Sequence, residues 1–236
     1  MFGLIGAMED EIAGIRAALS DVKEAHYAGL TFYTGTYHAQ SCVLVRAGVG
    51  KVNAALCTQA LIDHFPVTAV INTGIAGGLD SRLQIGDLVL CTDAVEHDMD
   101  AVSFGYAPGQ IPQMDVFSFS ASAPLRALAK EVAAELLPEL SCLEGRILTG
   151  DQFVSSHEKK AELIRTFDGA CCEMEGAAIA HVCHMNGLPF LIVRAISDNA
   201  DNAASIDYPT FEKAAIAHSV KLSLGMLEKS AETSEF

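Results

Sequence analysis

Phe190-Leu191-Ile192-Val193-Arg194-Ala195-Ile196-Ser197-Asp198 reads as a fully apolar strand that ends in polar residues. It follows Cys171-Cys172-Glu173-Met174-Glu175-Gly176-Ala177-Ala178-Ile179-Ala180-His181, an acidic pair heading a run of small, helix-compatible residues. A carboxylate taken out of water is costly unless it is paired or hydrogen-bonded, so acids embedded in so much apolar sequence need partners in the protein or in a ligand. Glu175 favouring a helix N-terminus and Asp198 capping a turn would account for the two acids without any site. Their place at a strand end weighs the other way, because open α/β sheets bind ligands beyond the carboxyl ends of their strands.

Working outward, Phe2 to Ala7 reads as a short strand, and Glu9-Asp10-Glu11 opens a helix with Ile12, Ile15 and Leu19 at helical spacing. Complementing the helix dipole explains Glu9 and Asp10. Leu30 to Tyr37 and Ser41 to Ala47 read as two strands joined by a polar turn, and Val52 to about His64 as a helix. Gly48-Val49-Gly50-Lys51 before that helix is neither a P-loop nor a full dinucleotide fingerprint. Thr68 to Thr73 is a buried strand that breaks into Gly74-Ile75-Ala76-Gly77-Gly78, glycines that let a backbone approach a ligand or another strand closely. Further strands are expected at Leu88 to Val95 and Gly145 to Gly150. Further helices are expected at Pro124 to Leu137, His157 to Phe167 and Pro209 to Leu227. Between them His97 to Phe119 is a long irregular segment whose aromatics and methionines suit a partner surface. Strands alternating with helices predict a three-layer α/β/α core, and the hairpin-like pair at 30–47 makes its central β-sheet mixed.

The chain has 236 residues, half of them apolar, which is enough for one large domain over residues 1–228 followed by a frayed polar tail at 229–236. The opening Met1 to Met8 lacks a basic leader and reads as a strand rather than a signal peptide, and no apolar run reaches membrane-spanning length. A soluble, cytoplasmic protein is expected. A net charge of −15 argues against nucleic acid as a partner. Seven cysteines without metal spacing suit reduced thiols. His181, Cys183 and His184 do not share one helix face, and Glu96-His97-Asp98-Met99-Asp100 reads as an acidic loop, so neither a metal nor a cofactor is assigned.

Gly6-Ala7-Met8-Glu9-Asp10-Glu11, Gly48-Val49-Gly50-Lys51, Asn72-Thr73-Gly74-Ile75-Ala76-Gly77-Gly78, Gly150-Asp151-Gln152-Phe153, Glu173-Met174-Glu175 and Arg194-Ala195-Ile196-Ser197-Asp198 occur in this order. Together they resemble the motifs of the 5′-methylthioadenosine/S-adenosylhomocysteine nucleosidases, of the nucleoside phosphorylase-like superfamily, over about residues 1–228. The resemblance implies hydrolysis of the N-glycosidic bond of adenine nucleosides carrying a 5′ thioether. It implies Asp198 as the general acid at purine N7, supported by Ser197, with Glu11 activating water and Arg194 helping to place it. Glu175 would bind the ribose hydroxyls, Met174 would lie under the sugar, Phe153 would stack on adenine, and the Val154 backbone would read the base edge. Met8, Ile75, Ala76, Gly77 and Tyr208 complete the implied substrate contacts. Many relatives carry Ser where Ile75 stands, which bears on the water network. The family also pairs as homodimers, each site closed by the partner's loop, here the segment around Phe104 and Pro112.

The chemistry asks for these residue types independently. Glycosidic cleavage builds positive charge on the sugar while electrons flow to the leaving group, so one acid must protonate the departing base and a carboxylate must face the cation and the water. Glu11 on the nucleophile side would repel phosphate, which separates a hydrolase from a purine nucleoside phosphorylase. A futalosine-pathway nucleosidase would share this chemistry on another adenosine-type substrate. A non-catalytic nucleoside-binding protein on the same scaffold would be expected to lose some of Glu11, Glu175 and Asp198.

Overall fold

In a computed structural model describing residues 1–232, the run Phe190–Asp198 forms strand β11, with all nine residues buried. Along the chain the elements are β1 (Phe2–Gly6), α1 (Glu9–Ala18), β2 (Ser20–Tyr27), β3 (Leu30–Tyr37), β4 (Gln40–Arg46), α2 (Lys51–His64), β5 (Ala69–Asn72), β6 (Ile75–Gly78) and β7 (Leu88–Glu96). They continue with β8 (Phe119–Ser120), α3 (Ala123–Leu136), β9 (Cys142–Thr149), α4 (His157–Phe167), β10 (Cys171–Glu173), α5 (Gly176–Met185), β11 and α6 (Ala204–Glu232). The strands form one mixed sheet in the order β2-β3-β4-β1-β5-β11-β6-β10-β9-β7-β8.

β11 is shared between two halves of this sheet. Its first residues pair in parallel with β5, and its last residues pair in parallel with β6. Val193 to Ala195 also pair antiparallel with β7, so β11, β6, β10, β9 and β7 close on one another. A strand engaged in this way has no solvent-facing side, which is why its sequence shows no polar alternation. Helices α1, α3 and α6 pack together and α2 packs on α5, giving the helical layers that flank the sheet.

Local chemistry sets the helix ends. Ser122 caps α3 by accepting the Leu125 N–H, with Pro124 in its first turn, and Ser156 caps α4 by accepting the Lys159 N–H at 3.2 Å. In α1, Glu9 meets Arg16 at 2.7 Å on the surface, while Glu11 turns inward and is buried.

The structure departs from the sequence reading in four places. β2 is a strand that the sequence did not reveal. It is an edge strand exposed along nearly its whole length, so it carries no apolar periodicity. The glycines after β5 do not simply end a strand: Ile75–Gly78 is itself a strand between β11 and β10. The last helix begins at Ala204 rather than Pro209, and Pro209 lies within it. The frayed tail expected from residue 229 is helical through Glu232. Lys229 reaches Glu131 and Glu135 at 2.7 and 2.6 Å and Ser230 is buried, so the tail is tied to α3 by contacts that no local pattern announces. Residues 233–236 of that expected tail lie outside the described residues.

Because β11 organises both halves of the sheet, truncating its centre should be costly. Leu191→Ala, at a fully buried position, is expected to lower the unfolding free energy by about 2–5 kcal/mol, measured by urea denaturation. A loss under about 1 kcal/mol would mean that this strand is not the packing centre described.

Candidate active site

A cleft of about 740 Å³, including its open mouth, lies along β6 and at the carboxyl ends of β1, β10 and β11. Glu11, Ile75, Ala76, Gly77, Phe153 and Val154 line it, as do Met8, Met174, Glu175, Ser197, Asp198 and Tyr208. The fold therefore brings together nearly every residue singled out from the sequence, from segments up to about 200 positions apart. Ala7, Val49, Gln152, Cys172 and Glu173 line the cleft as well, without having been proposed as site residues.

Glu11 owes its position to the start of α1. As the third helical residue it folds back, so that Oε2 accepts the N–H groups of Ala7 at 2.7 Å and Met8 at 2.9 Å. Its other oxygen accepts the Ile75 N–H at 3.2 Å. A Cβ on Gly74 would stand 2.6 Å from Glu11 Oε1, so glycine leaves this carboxyl its place. Burial raises the Glu11 pKa, against the pull of Arg194 and the three amides.

Asp198 ends β11. Its Oδ2 accepts the Ser197 hydroxyl at 2.9 Å and its Oδ1 accepts the Ala200 N–H at 2.8 Å. A Cβ on Gly77 would come within 2.9 Å of Asp198 Oδ1, so the glycine-rich β6 is what lets this carboxyl sit against the sheet. Burial raises its pKa, and Asp207 and Asp201 push the same way, favouring the protonated form.

Glu175 stands at the N-terminus of α5, as the helix-terminus reading allowed, and its side chain accepts the Gly50 N–H at 2.8 Å. Burial and the neighbouring Glu173 charge raise its pKa. Glu173 is buried as well, with both oxygens engaged. It takes hydrogen bonds from the Arg194 guanidinium, the Thr149 hydroxyl and the Glu175 and Gly176 N–H groups.

Arg194 stands apart from the other candidate residues. Expected to help place water in the cleft, it is not among the lining residues; it lies behind them, 2% exposed. Its guanidinium is committed to Glu173 and to Asn72, whose Oδ1 accepts at 2.5 Å. Its charge still acts on Glu11, Glu173 and Glu175 together. Phe104 and Pro112 also lie away from this chain's own cleft, and Phe104 is 84% exposed. At the mouth Phe153, half exposed, meets Tyr208 edge-on at 5.8 Å, and the Tyr208 hydroxyl donates to Glu212 at 2.9 Å.

The histidines weighed as ligands have other surroundings. His181 lies 3.3 Å from Glu96 and stacks on Phe119, while Cys183 is buried. Among the described residues no group of three or more His, Cys, Asp or Glu could hold a metal ion, and no helix is long and apolar enough to cross a membrane.

Residues 1–229 match the Phosphorylase superfamily. A 5′-methylthioadenosine/S-adenosylhomocysteine nucleosidase of Treponema pallidum is 42% identical, the alignment covering 96% of this chain and 92% of that protein. The chain belongs to the 5′-methylthioadenosine/S-adenosylhomocysteine nucleosidase family. The nucleosidase of Neisseria meningitidis, solved in complex with methylthio-immucillin-A, superposes with a TM-score of 0.93 at 40% identity, covering 97% of this chain and 98% of that one. A futalosine hydrolase of Helicobacter pylori superposes with a TM-score of 0.92 at 36% identity, covering 97% of both chains. The mixed α/β architecture is the one that nucleosidases of this family share.

The buried carboxyls of this nucleosidase fold make stability depend on pH. In the unfolded chain Glu11, Glu175 and Asp198 ionise at ordinary values, whereas in the native state their pKa values are raised. Between the ordinary and raised values the native state holds more protons. The stability from these groups is therefore fully present below the ordinary carboxylate range and is lost as pH rises through the raised values. Asp198→Asn is expected to reduce that loss, its thermal midpoint gaining on the parent's as pH rises above the ordinary carboxylate range. A parent–variant difference that stays constant over that rise would mean that Asp198 is not held above its ordinary pKa.

Proposed function

We propose that the chain hydrolyses the N-glycosidic bond of 5′-thio-substituted adenine nucleosides, 5′-methylthioadenosine and S-adenosylhomocysteine, releasing adenine and the thioribose. The observation that carries this reading is a pair of buried carboxyls, Glu11 and Asp198, lining one cleft with raised pKa values and separate hydrogen-bond supports. Glu11 lies against Gly74 and Asp198 against Gly77, so the same glycine-rich segment gives both carboxyls their places in the cleft.

In this scheme Asp198 enters protonated and gives its proton to N7 of the purine, with Ser197 orienting the carboxyl. Adenine is a poor anion, and protonation lets it depart neutral. Positive charge grows on the ribose as the bond lengthens. Arg194 is already paired with Glu173, so once Glu11 and Glu175 are ionised that side of the cleft carries negative charge complementary to the cation. Glu175 holds the ribose hydroxyls, with its free oxygen available because Gly50 occupies the other. Met174 lies under the sugar, while Phe153 and the Val154 backbone take the adenine. Met8, Ile75, Ala76, Gly77 and Tyr208 complete the walls.

Water is favoured over phosphate as the nucleophile. Among the described residues no Lys, Arg or His lines the cleft, and Arg194 is already bound to Glu173, so an incoming dianion would meet carboxyl groups without a free cation. Ile75 puts an apolar side chain on the nucleophile side, leaving Glu11 as the group that orients water. The likeness to a futalosine hydrolase supports a second reading, the same chemistry on futalosine.

The chain is further proposed to work as a homodimer, with Phe104 and Pro112 of the partner subunit closing each cleft. A groove in which Val52, Ala55, Met99, Ile111, Val182 and Met185 stand beside Lys51, Glu96, Asp151 and His181 supports this reading, with Val52 80% and Met185 68% exposed.

Adenine release from methylthioadenosine without phosphate, with inosine left intact, is the expected assay result. Faster release from futalosine would favour the second reading, and a requirement for phosphate would replace hydrolysis by phosphorolysis. Asp198→Asn should keep substrate binding but lower turnover by about 10²–10⁴-fold, and near-normal turnover would remove Asp198 as the acid. Sedimentation should give a dimer that Met185→Glu shifts toward monomer; a monomeric parent chain would end the shared-site proposal.

A further inference from the structure

Three segments that are far apart in sequence meet at one rim of the cleft. The first, 48–51, supplies Val49 to the lining and the Gly50 N–H that holds Glu175. The second, 150–154, supplies Gln152, Phe153 and Val154. The third, Glu96 to Asp98 at the end of β7, joins the other two. Asp98 Oδ1 meets Lys51 Nζ at 2.6 Å, and Asp98 Oδ2 accepts the Asp151 N–H at 2.9 Å. Asp151 closes the circuit by accepting the Lys51 N–H at 2.9 Å, and Glu96 Oε2 lies 3.2 Å from Lys51 Nζ. Gly50 is tailored to this arrangement: its φ is +95°, and a Cβ would come within 3.0 Å of Asp151 Oδ1.

The Lys51 and Asp98 side chains are only 18% and 16% exposed, so water screens this pair less than a surface ion pair. One carboxylate, with each oxygen on a different segment, sets the spacing between two walls of the cleft. On one wall sits the amide that fixes Glu175, and on the other the ring and backbone proposed to take the base. We propose that Lys51 and Asp98 are positioning residues: their ion pair clasps the sugar-side segment 48–51 to the base-side segment 150–154 and sets the distance between ribose and adenine subsites. This rests on the nucleosidase reading for its substrate, though not for the clasp itself. Neither residue touches the reacting atoms. The clasp acts through the Gly50, Lys51 and Asp151 amides, and its effect should fall on binding more than on the chemical step.

The test uses the full chain and the variants K51M, D98A and K51R. Hydrogen exchange reads the clasp directly: the amides of residues 50, 51 and 151 should exchange about 10-fold faster or more in K51M and D98A, with β11 still protected. K51R, which keeps the charge, should stay close to the parent. With methylthioadenosine as substrate, K51M and D98A should raise KM by about 10-fold while kcat changes by less than about 3-fold, and K51R should restore KM. Unchanged protection at all three amides overturns the clasp. Loss of protection spreading through β11 overturns it too, because the pair would then serve the whole fold. A fall in kcat at unchanged KM would refute the positioning role. A parent chain that releases no adenine would fail the nucleosidase reading instead, with the exchange measurements still deciding the clasp.

Discussion

The buried ion pair between Arg194 and Glu173 is the constraint from which the rest of the site follows. Arg194 sits mid-strand in β11, surrounded by apolar neighbours, where an uncompensated guanidinium would be prohibitive. Glu173 ends β10 and heads toward α5, and its own charge is neutralised by Arg194, the Thr149 hydroxyl and two amides at the helix N-terminus. This one contact ties together the two strands whose ends carry Glu175 and Asp198. Asn72 extends it to β5, so the turn that presents Gly74 and Ile75 to Glu11 is held by the same guanidinium.

With Arg194 committed to structure, the cleft keeps more acid than base. Burial makes that unfavourable for the native state, and the raised pKa values of Glu11, Glu175 and Asp198 express it. A protein selected for stability alone would replace such groups. Their retention suits a reaction whose transition state carries positive charge on the sugar and needs a proton for the base. Each carboxyl is nonetheless held by specific donors, and these differ: helix-terminal amides for Glu11, a loop amide for Glu175, and a hydroxyl and a turn amide for Asp198. Different donors place three chemically similar groups in different surroundings within one cavity.

Helix-terminus chemistry and site chemistry are not alternatives here. Glu11 satisfies backbone amides at the start of α1 and, by doing so, has its carboxylate fixed in the cleft. Glu175 sits at the head of α5 as a helix-terminal acid would, yet its side chain turns away to the Gly50 amide. The glycines of β6 likewise serve both readings open to them, since they pack in a strand and give room to Asp198.

The amino-acid order alone determined the elements whose cause is local: β11 from its unbroken apolar run, α4 from the charged run His157 to Phe167, and the strand-end placement of Glu175 and Asp198. It also supplied the residue types needed for the chemistry, because acids and glycines beside apolar strands leave a mark that a short window can read. Only the tertiary structure decided that Arg194 lies behind the cleft rather than in it, that Glu173 is its partner, that β2 lines the sheet's edge and that α6 runs through residue 232. Those outcomes depend on pairings between residues far apart in the chain. A side chain's partner across such a distance is set by how strands register and helices pack, and no local periodicity encodes it.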